Sequence, residues 1–600
     1  VFRKTDDSEE VSGMSLRSQT AAIALLLGLL VPTKVVFGGE TGKIVAKVID
    51  GTTREALPGA NIVIEGTPLG ASTDAEGNAV ILHVQPGTYN VRTSLVGYTP
   101  LVVADVRISI DQTTNIGFEL SEEGVSLGEV VVEAKRPLIQ KDVSTSVSAI
   151  TEGEIESLPV ASVSDVVNLN AGVQDGFVIR GGRSDEASFK LDGVSLRDPR
   201  NNKPMANVPL SAVEEVSVER GGFRAEYGEV RSGIINVIGK EGSRSAYSGE
   251  ITARYRPYTT KYFGMDPYDP NSMWLRPYLD PAVAWTGTTN GAWDEFTRRQ
   301  YPQFMGWNAV SDALLSNTDP SDDLSPAAAQ RLFLWQHRRT PPSEPDYTVD
   351  AGFGGPFPLV SKELGDLRFH VAYRRNKEML AIPLTVEDFT ESDWVLKLTS
   401  DIAPSMVLSL SGTLGESENV AVNGTEQANS TDYIRSPQEI AEQTNFQPVS
   451  SSSRIFSDSY YSLGQVRQYS AAAKLTNILS PTVVYEVKVE HIAREYNTAP
   501  GRARDTSKIF EVAPGYFVDE APFGWSPSPD VGIGDGMTLG GHTSTSRDYS
   551  KISATTFKFD LTSQFNNENE IKTGVEFVYS NLNLDYGTVN LVFPESNAYV

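Results

Sequence analysis

The sequence predicts a mainly β, multidomain protein with an export leader, a small β-sandwich and, further on, the strands of a transmembrane β-barrel. Three observations predict this. The only long apolar run, Ala21 to Val31, is shorter than the ~20 residues a spanning helix needs. Residues 41–120 repeat short β-rich runs separated by turn residues, at the spacing of a sandwich. Beyond Gly242 the hydrophobicity changes to a period of two, with charges at alternate positions.

Composition bounds the function classes. A chain of 600 residues exceeds one ordinary core, so several domains are expected. Its 40% hydrophobic and 21% charged residues describe a folded chain, and its 50 glycines and 23 tyrosines favour strands and turns. A net charge of −26 argues against nucleic acid as a partner, because phosphate contacts need clustered Lys and Arg. With no cysteine, disulfides, thiolate metal sites and cysteine nucleophiles are excluded.

The apolar run itself reads as a secretory signal peptide. Arg17 precedes it, Pro32 interrupts it, and Val36-Phe37-Gly38 supplies small residues at the −3 and −1 positions of a cleavage site. Residues 1–38 are therefore assigned to an upstream extension and a leader starting at Met14, with the mature chain beginning near Gly39. A buried core helix is the competing structural reading. No other segment is long and apolar enough for a spanning helix, so an exported membrane protein of this sequence must cross as a closed barrel.

Residues 39–121 form the sandwich. Strands are expected at Lys43–Ile49, Ala60–Glu65, Ala79–Leu82, Tyr89–Leu95, Leu101–Ile108 and Thr114–Leu120. Pro58-Gly59, Asp74-Ala75-Glu76-Gly77 and Pro86-Gly87 supply the turns. Asp74 and Glu76 read as turn residues, since a calcium loop needs further ligands and a terminal Glu. This ordered set resembles the carboxypeptidase-regulatory-like domain. Peptidase chemistry does not follow from that name: none of His83, His337, His370, His491 and His542 has a carboxylate three residues on. No catalytic residue, metal cluster or cofactor is assigned.

Residues 122–140 are a polar linker around one apolar patch, Glu129-Val130-Val131-Val132-Glu133-Ala134. As residues alone, the patch reads as a last sandwich strand. It also resembles a TonB box, the extended peptide by which outer-membrane transporters engage TonB.

Residues 141–243 carry the most diagnostic pieces. They run Val163 to Val173, Phe177-Val178-Ile179-Arg180-Gly181-Gly182, Leu191-Asp192-Gly193-Val194, Val216 to Arg220 with Gly221-Gly222, Ala225-Glu226-Tyr227-Gly228, and Ser232 to Ile238. In this order they resemble the plug domain of TonB-dependent receptors. The glycines serve tight turns, and the β-branched runs serve a sheet.

Residues 244–600 are read as a partial barrel. Strands are expected near 246–256, 346–354, 366–376, 393–402, 405–415, 465–477, 482–494, 554–565 and 570–584, with long and short connections alternating throughout. In Val483-Val484-Tyr485-Glu486-Val487-Lys488-Val489-Glu490, for example, charges fall on every second position. That pattern suits lipid outside and a polar interior.

The resemblance implies an α/β plug inside a barrel of about 22 strands, of which these nine would be the first. On that reading about 13 further strands would lie beyond Val600. It also implies transport of a scarce small ligand (siderophore, vitamin, peptide or oligosaccharide) across the outer membrane, with the N-terminal domain in the periplasm. The implied partners are TonB with its inner-membrane motor proteins and outer-membrane lipid; a surface lipoprotein is left open. The alternative is a plugged-barrel surface binding or adhesion protein without energy-coupled uptake. Arg180 and Arg220 are candidates to pair with Glu486, Glu490 and Glu576 on the inner wall. In the first long connection Trp274, Trp285, Trp293, Trp307 and Trp335 offer either a ligand surface or a small core of their own.

Overall fold

The computed structural model describes residues 41–588 apart from 123–129, 134–145, 224–227, 339–342, 422–460, 500–506, 520–531, 540–545 and some shorter gaps. The leader at 1–38, Glu129, Ala134 and Tyr227 therefore lie outside the described residues.

The sandwich contains β1 (Gly42–Asp50), β2 (Asn61–Ile64), β3 (Gly70–Ser72), β4 (Asn78–Val84), β5 (Gly87–Ser94), β6 (Leu101–Ile108), β7 (Thr113–Leu120) and β8 (Val130–Glu133). One sheet has the order β4-β1-β7 and the other β3-β2-β5-β6-β8. Period two explains the core: Ile44, Ala46 and Val48 of β1 point inward and meet Ile62, Ile64, Val91, Val106 and Phe118. The expected turn at Asp74 is present. Its Oδ1 accepts from the N–H groups of Glu76 (3.0 Å) and Asn78 (2.7 Å), and Gly77 turns the chain at φ +76.

The second domain contains β9 (Ser146–Thr151), the hairpin β10 (Val173–Gln174) and β11 (Val178–Ile179), then β12 (Ala187–Leu191), β13 (Val194–Ser195), β14 (Val213–Arg220) and β15 (Gly233–Gly239). Its main sheet has the order β13-β12-β15-β14-β9. Two short helices, Glu152–Glu156 and Val163–Asn168, cover it. Ser162 caps the second by accepting from the Asp165 N–H at 3.2 Å. Both faces of β15 are buried, which its unbroken run Ile234-Ile235-Asn236-Val237-Ile238 requires.

Among the described residues nine long antiparallel strands follow in one sheet, which the short β27 (Ser546–Asp548) and β30 (Tyr586–Thr588) also join; the first seven are β16 (Ser248–Arg256), β17 (Asp346–Pro356), β18 (Arg368–Met379), β19 (Asp388–Ala403), β20 (Met406–Ala421), β21 (Ser462–Ser480) and β22 (Val483–Ala499). Past five short strands, β23 (Ile509–Ala513), β24 (Tyr516–Asp519), β25 (Gly532–Gly534), β26 (Met537–Thr538) and β27 (Ser546–Asp548), the ladder continues with β28 (Lys551–Gln564) and β29 (Glu570–Asn583). The last short strand is β30 (Tyr586–Thr588). All nine lie where the alternation predicts them, most of them longer by a few residues.

Their sidedness inverts that of a soluble sheet. On β19, Asp393, Val395, Lys397 and Thr399 are buried, whereas Trp394 and Leu396 are 49% and 44% exposed. An inward charge beside an outward tryptophan is the sidedness of a membrane barrel. The buried face packs on the second domain: Ala372, Val395, Ile492 and Ala554 of the strands share one core with Val166, Phe189, Val216 and Val237.

The connections need one correction. The link expected at 377–392 shrinks to 380–387, shorter than the turn at 357–367. Strands β18 and β19 pair out to Met379↔Asp388 and absorb the rest. The first connection also differs from a plain loop. It contains helices at Arg276–Leu279, Glu295–Gln300, Trp307–Leu315 and Pro326–Gln336. Helical spacing buries Ala328, Ala329, Leu332, Phe333 and Gln336, and the last helix opens with the cap Ser325 followed by Pro326. Val512 on β23, Ile533 on β25, Met537 on β26 and Leu539 complete this lobe's core from the β22–β28 connection.

Candidate functional site

The sequence motifs of the second domain converge on its contact with the wall. Asp192 (φ +47) and Gly193 (φ +71) are the two central residues of the hairpin joining β12 to β13. Positive φ at both positions is the condition for a tight two-residue turn, and Asp and Gly meet it. The turn then becomes an anchor. Asp192 Oδ1 accepts from Lys397 Nζ at 3.0 Å and from the Gly239 N–H at 3.0 Å. The Gly193 carbonyl accepts from Lys488 Nζ at 2.7 Å.

Further charges extend the anchor in both directions. Lys397 lies 3.7 Å from Glu241, Glu241 pairs with Arg368 at 3.1 Å, and Asp401 pairs with Arg244 at 2.8 Å and Arg368 at 3.4 Å. Toward the end with the long connections, Asp198 meets Arg494 at 3.3 Å and accepts from the Tyr496 hydroxyl. Arg200 pairs with Asp548 at 2.8 Å and its guanidinium lies 3.8 Å from the Tyr496 ring centroid. Asp350 of β17 accepts the N–H groups of Leu210 (2.8 Å) and Ser211 (3.2 Å). Burial would raise the Glu241 carboxyl, but Lys397 and Arg368 hold it below the usual range.

This arrangement corrects the expected wall contacts of Arg180 and Arg220. Arg180 takes φ +51 and lays its guanidinium beside Gly221, and Arg220 donates to the Ala171 carbonyl, so both stay within the second domain. Glu486 accepts from Thr476 (2.9 Å) and lies 3.8 Å from His83, Glu490 lies 3.4 Å from Lys488, and Glu576 is exposed on β29. Gly181 (φ +75), Gly221 (φ +77) and Gly222 (φ +70) serve turns, as expected. At Gly182 a Cβ would lie 2.6 Å from Ser232 Cβ, so a close approach selects glycine. Gly228 stands in a turn with open space around it.

The tryptophans resolve mostly toward a core. Trp307 is fully buried, its indole N–H donates to the Tyr278 carbonyl at 2.8 Å, and Trp293 is 6% exposed with its N–H on Asp280. Trp274, Trp285 and Trp335 pack partly buried on the same core. Trp293 and Trp307 therefore follow the small-core alternative of the two readings. No group of His, Cys, Asp or Glu among the described residues is arranged to hold a metal.

Lys397 carries the central contact, and its loss is expected to be costly. A buried ion pair broken from one side forfeits ~3–5 kcal/mol because the other charge stays buried. Lys397→Met should leave the barrel assembled but loosen the domain inside it. Wild-type resistance of β9–β15 to protease in that variant would show the contact to be dispensable.

The segment Val130–Glu133 was read from its residues as a sandwich strand and by resemblance as a coupling peptide. Its backbone is the fifth strand of the second sandwich sheet, parallel to β6 in the register Leu101↔Val130, Val102↔Val131, Val103↔Val132, Ala104↔Glu133.

A mixed domain packed through ion pairs and a shared apolar core against a sheet of membrane-type strands is the arrangement of a plug on a barrel wall. Comparisons with known proteins agree. The family model for the carboxypeptidase-regulatory-like domain matches residues 44–132, and that for the TonB-dependent receptor plug domain matches residues 139–233. The TonB-dependent transporter Oar of Myxococcus xanthus is 26% identical over 256 residues, 39% of this chain and 24% of that protein. The TonB-dependent receptor SusC of Bacteroides thetaiotaomicron is 26% identical over 276 residues, 41% of this chain and 26% of that one. The vitamin B12 transporter BtuB of Vibrio vulnificus is 31% identical over 139 residues, 21% of this chain and 23% of that one. The match thus spans about a quarter of each curated relative. The chain thus carries a carboxypeptidase-regulatory-like domain and a TonB-dependent receptor plug domain, and the curated relatives it matches are TonB-dependent receptors and transporters.

Proposed function

We propose that the protein imports a scarce ligand across the outer membrane, driven by TonB acting on Glu129–Ala134. The observation that carries the reading is the chemistry of the plug seal. Asp192–Lys397, Asp198–Arg494 and Arg200–Asp548 are ion pairs that water can replace, and the apolar contact of the plug with the wall is made by a few side chains, Ala372, Val395, Ile492 and Ala554 among them. A permanent anchor would gain more from an apolar seal.

The orientation follows from barrel construction. Short turns face the periplasm and long connections face outward. The sandwich touches the short-turn end, where Lys43 pairs with Glu570 at 3.1 Å and Val80 and Leu82 pack on Val484. It is therefore periplasmic in this reading, and the helical lobe faces the outside. The ligand is taken to approach the plug tip near Arg200 and Tyr496. One relative named for vitamin B12 makes a vitamin one candidate cargo, beside siderophores, peptides and oligosaccharides.

Growth of a deletion strain on defined iron, vitamin and carbon sources identifies the cargo. Uptake of that cargo should then stop when TonB is deleted or the proton gradient is collapsed, while surface binding persists. Undiminished uptake under either condition would overturn the proposal in favour of a binding or adhesion protein.

A further inference from the structure

The inner face of β22 meets two different partners in turn. Its buried positions alternate through Val484, Glu486, Lys488 and Glu490. Lys488 donates to the plug, at the Gly193 carbonyl. Val484 and Glu486, nearer the short turn, meet the sandwich instead. Val484 is buried under Val80 and Leu82, and Glu486 lies 3.8 Å from His83. Ile478, the register partner of Val484 on β21, joins that apolar cluster together with Val45. Two strands further on, Glu570 of β29 pairs with Lys43 at 3.1 Å. The register Glu486↔Asp560 and Asp560↔Gly574 puts Glu570 on the same inner face, because side chains four apart on a strand point the same way. The sandwich therefore meets the inside of the wall, directly behind the plug.

A second set of contacts holds the sandwich to the rear of the plug. Ser109 Oγ (2.9 Å) and the Ile110 N–H (3.3 Å) donate to the buried Glu215 of β14. Arg107 donates to the Ala149 carbonyl of β9 at 3.3 Å and pairs with Glu154 at 3.4 Å. Arg244, in the connection from plug to wall, donates to the Gly66 carbonyl of the sandwich while it pairs with Asp401 of β19. Tyr89 comes close to the charged seal itself: burial raises its hydroxyl, and Glu241 and Glu214 raise it further. One body thus spans the seam between plug and wall. A ligand that passed the plug along β21 and β22 would arrive at the sandwich, so displacing the plug alone would open a passage still closed at its far end. The wall contacts are of a kind that can part, since Lys43 and Glu570 are partly exposed and the apolar cluster is small.

We propose that the sandwich is the inner gate of the transporter: docked, it closes the mouth behind the plug, and cargo leaves the barrel only after the sandwich has come away from β21, β22 and β29. This rests on the import reading and adds its exit step.

The sequence has no cysteine, so a pair introduced at the wall contact can be joined selectively. Lys43→Cys with Glu570→Cys replaces a partly exposed ion pair, a change that both domains should tolerate. The purified full-length protein is joined at this pair with a short bis-methanethiosulfonate, which reductant releases, and placed in a planar lipid bilayer in potassium chloride. Urea is then added in steps. The plug, built of short strands, should yield before the long ladders of the wall. At the urea concentration that half-opens the reduced variant, the joined protein is expected to conduct potassium and chloride at least tenfold less, and reductant should restore the current. Equal conductance of the joined and reduced forms would overturn the gate, because ions would then be passing a sandwich that had not moved. Failure of the reagent to join the pair would overturn it as well, by placing the sandwich away from the wall. The measurement uses neither TonB nor cargo, so it is independent of the uptake experiment, whose failure would remove the import reading instead.

Discussion

A Val131→Pro transporter is expected to bind its ligand with unchanged affinity and to take up none of it. Proline has no backbone N–H and fixes φ, so residue 131 could no longer donate in a strand ladder. The segment around it is short, and one missing donor removes a large share of what a partner sheet can hold. The tip proposed to meet the ligand is untouched, because Arg200 there contacts Asp548 and Tyr496 of β22, remote in the chain from β8. Val131→Ile keeps the N–H and the β-branched shape, and should transport normally. Radiolabelled uptake by energised cells, set beside binding at low temperature, separates the two steps. Normal uptake by the proline variant would end the assignment of this segment as the coupling peptide. The same variant should also lose the β6–β8 ladder, since Val131 pairs with Val102 there.

Trp307→Ala is expected to unfold the helical lobe and leave the barrel strands in place. Trp307 is fully buried, with its ring centroid 5.0 Å from Phe304, 5.4 Å from Phe333 and 6.4 Å from Tyr278. Its truncation removes the largest side chain of that core, and also the donor to the Tyr278 carbonyl. Changes of this kind cost ~3–5 kcal/mol, a large part of what a small unit has to lose. Trypsin supplies the readout. Arg298 and Arg299 are exposed, but they sit in a helix that should resist cleavage while the lobe is folded. Rapid cleavage there in the variant, with the nine-stranded core intact, is expected. A cleavage pattern like that of wild type would show that the lobe does not depend on this ring.

The lobe's core is shared with Val512, Ile533, Met537 and Leu539 from a connection far along the chain. The variant should therefore also loosen the β23–β24 and β25–β26 hairpins. Ligand binding measured on it will report whether the lobe contributes to capture at the outer face.

Local chemistry determined much of this molecule in the sequence itself. The period of two placed the nine barrel strands, because burial on one face and lipid on the other leaves a signal in every strand. Asp192-Gly193 and Asp74 to Gly77 were legible as turns, since few residue types accept those backbone angles. The Ser325-Pro326 cap and the spacing of Ala328, Leu332 and Phe333 were equally local signals of a helix, there to be read within a stretch taken as loop. Only the tertiary structure decided which charges meet. Lys397 and Arg494 looked like any inward barrel residue until the plug brought Asp192 and Asp198 to them. Arg180 and Arg220 carried the motif but turned back into their own domain through a positive φ and a neighbouring carbonyl. Likewise β8 was legible as a β-branched run, whereas its choice of β6 as partner was not. The physical reason is one of range: periodicity and turn chemistry act between near neighbours, whereas ion pairs and strand partners form between residues whose distance in space the chain order does not state.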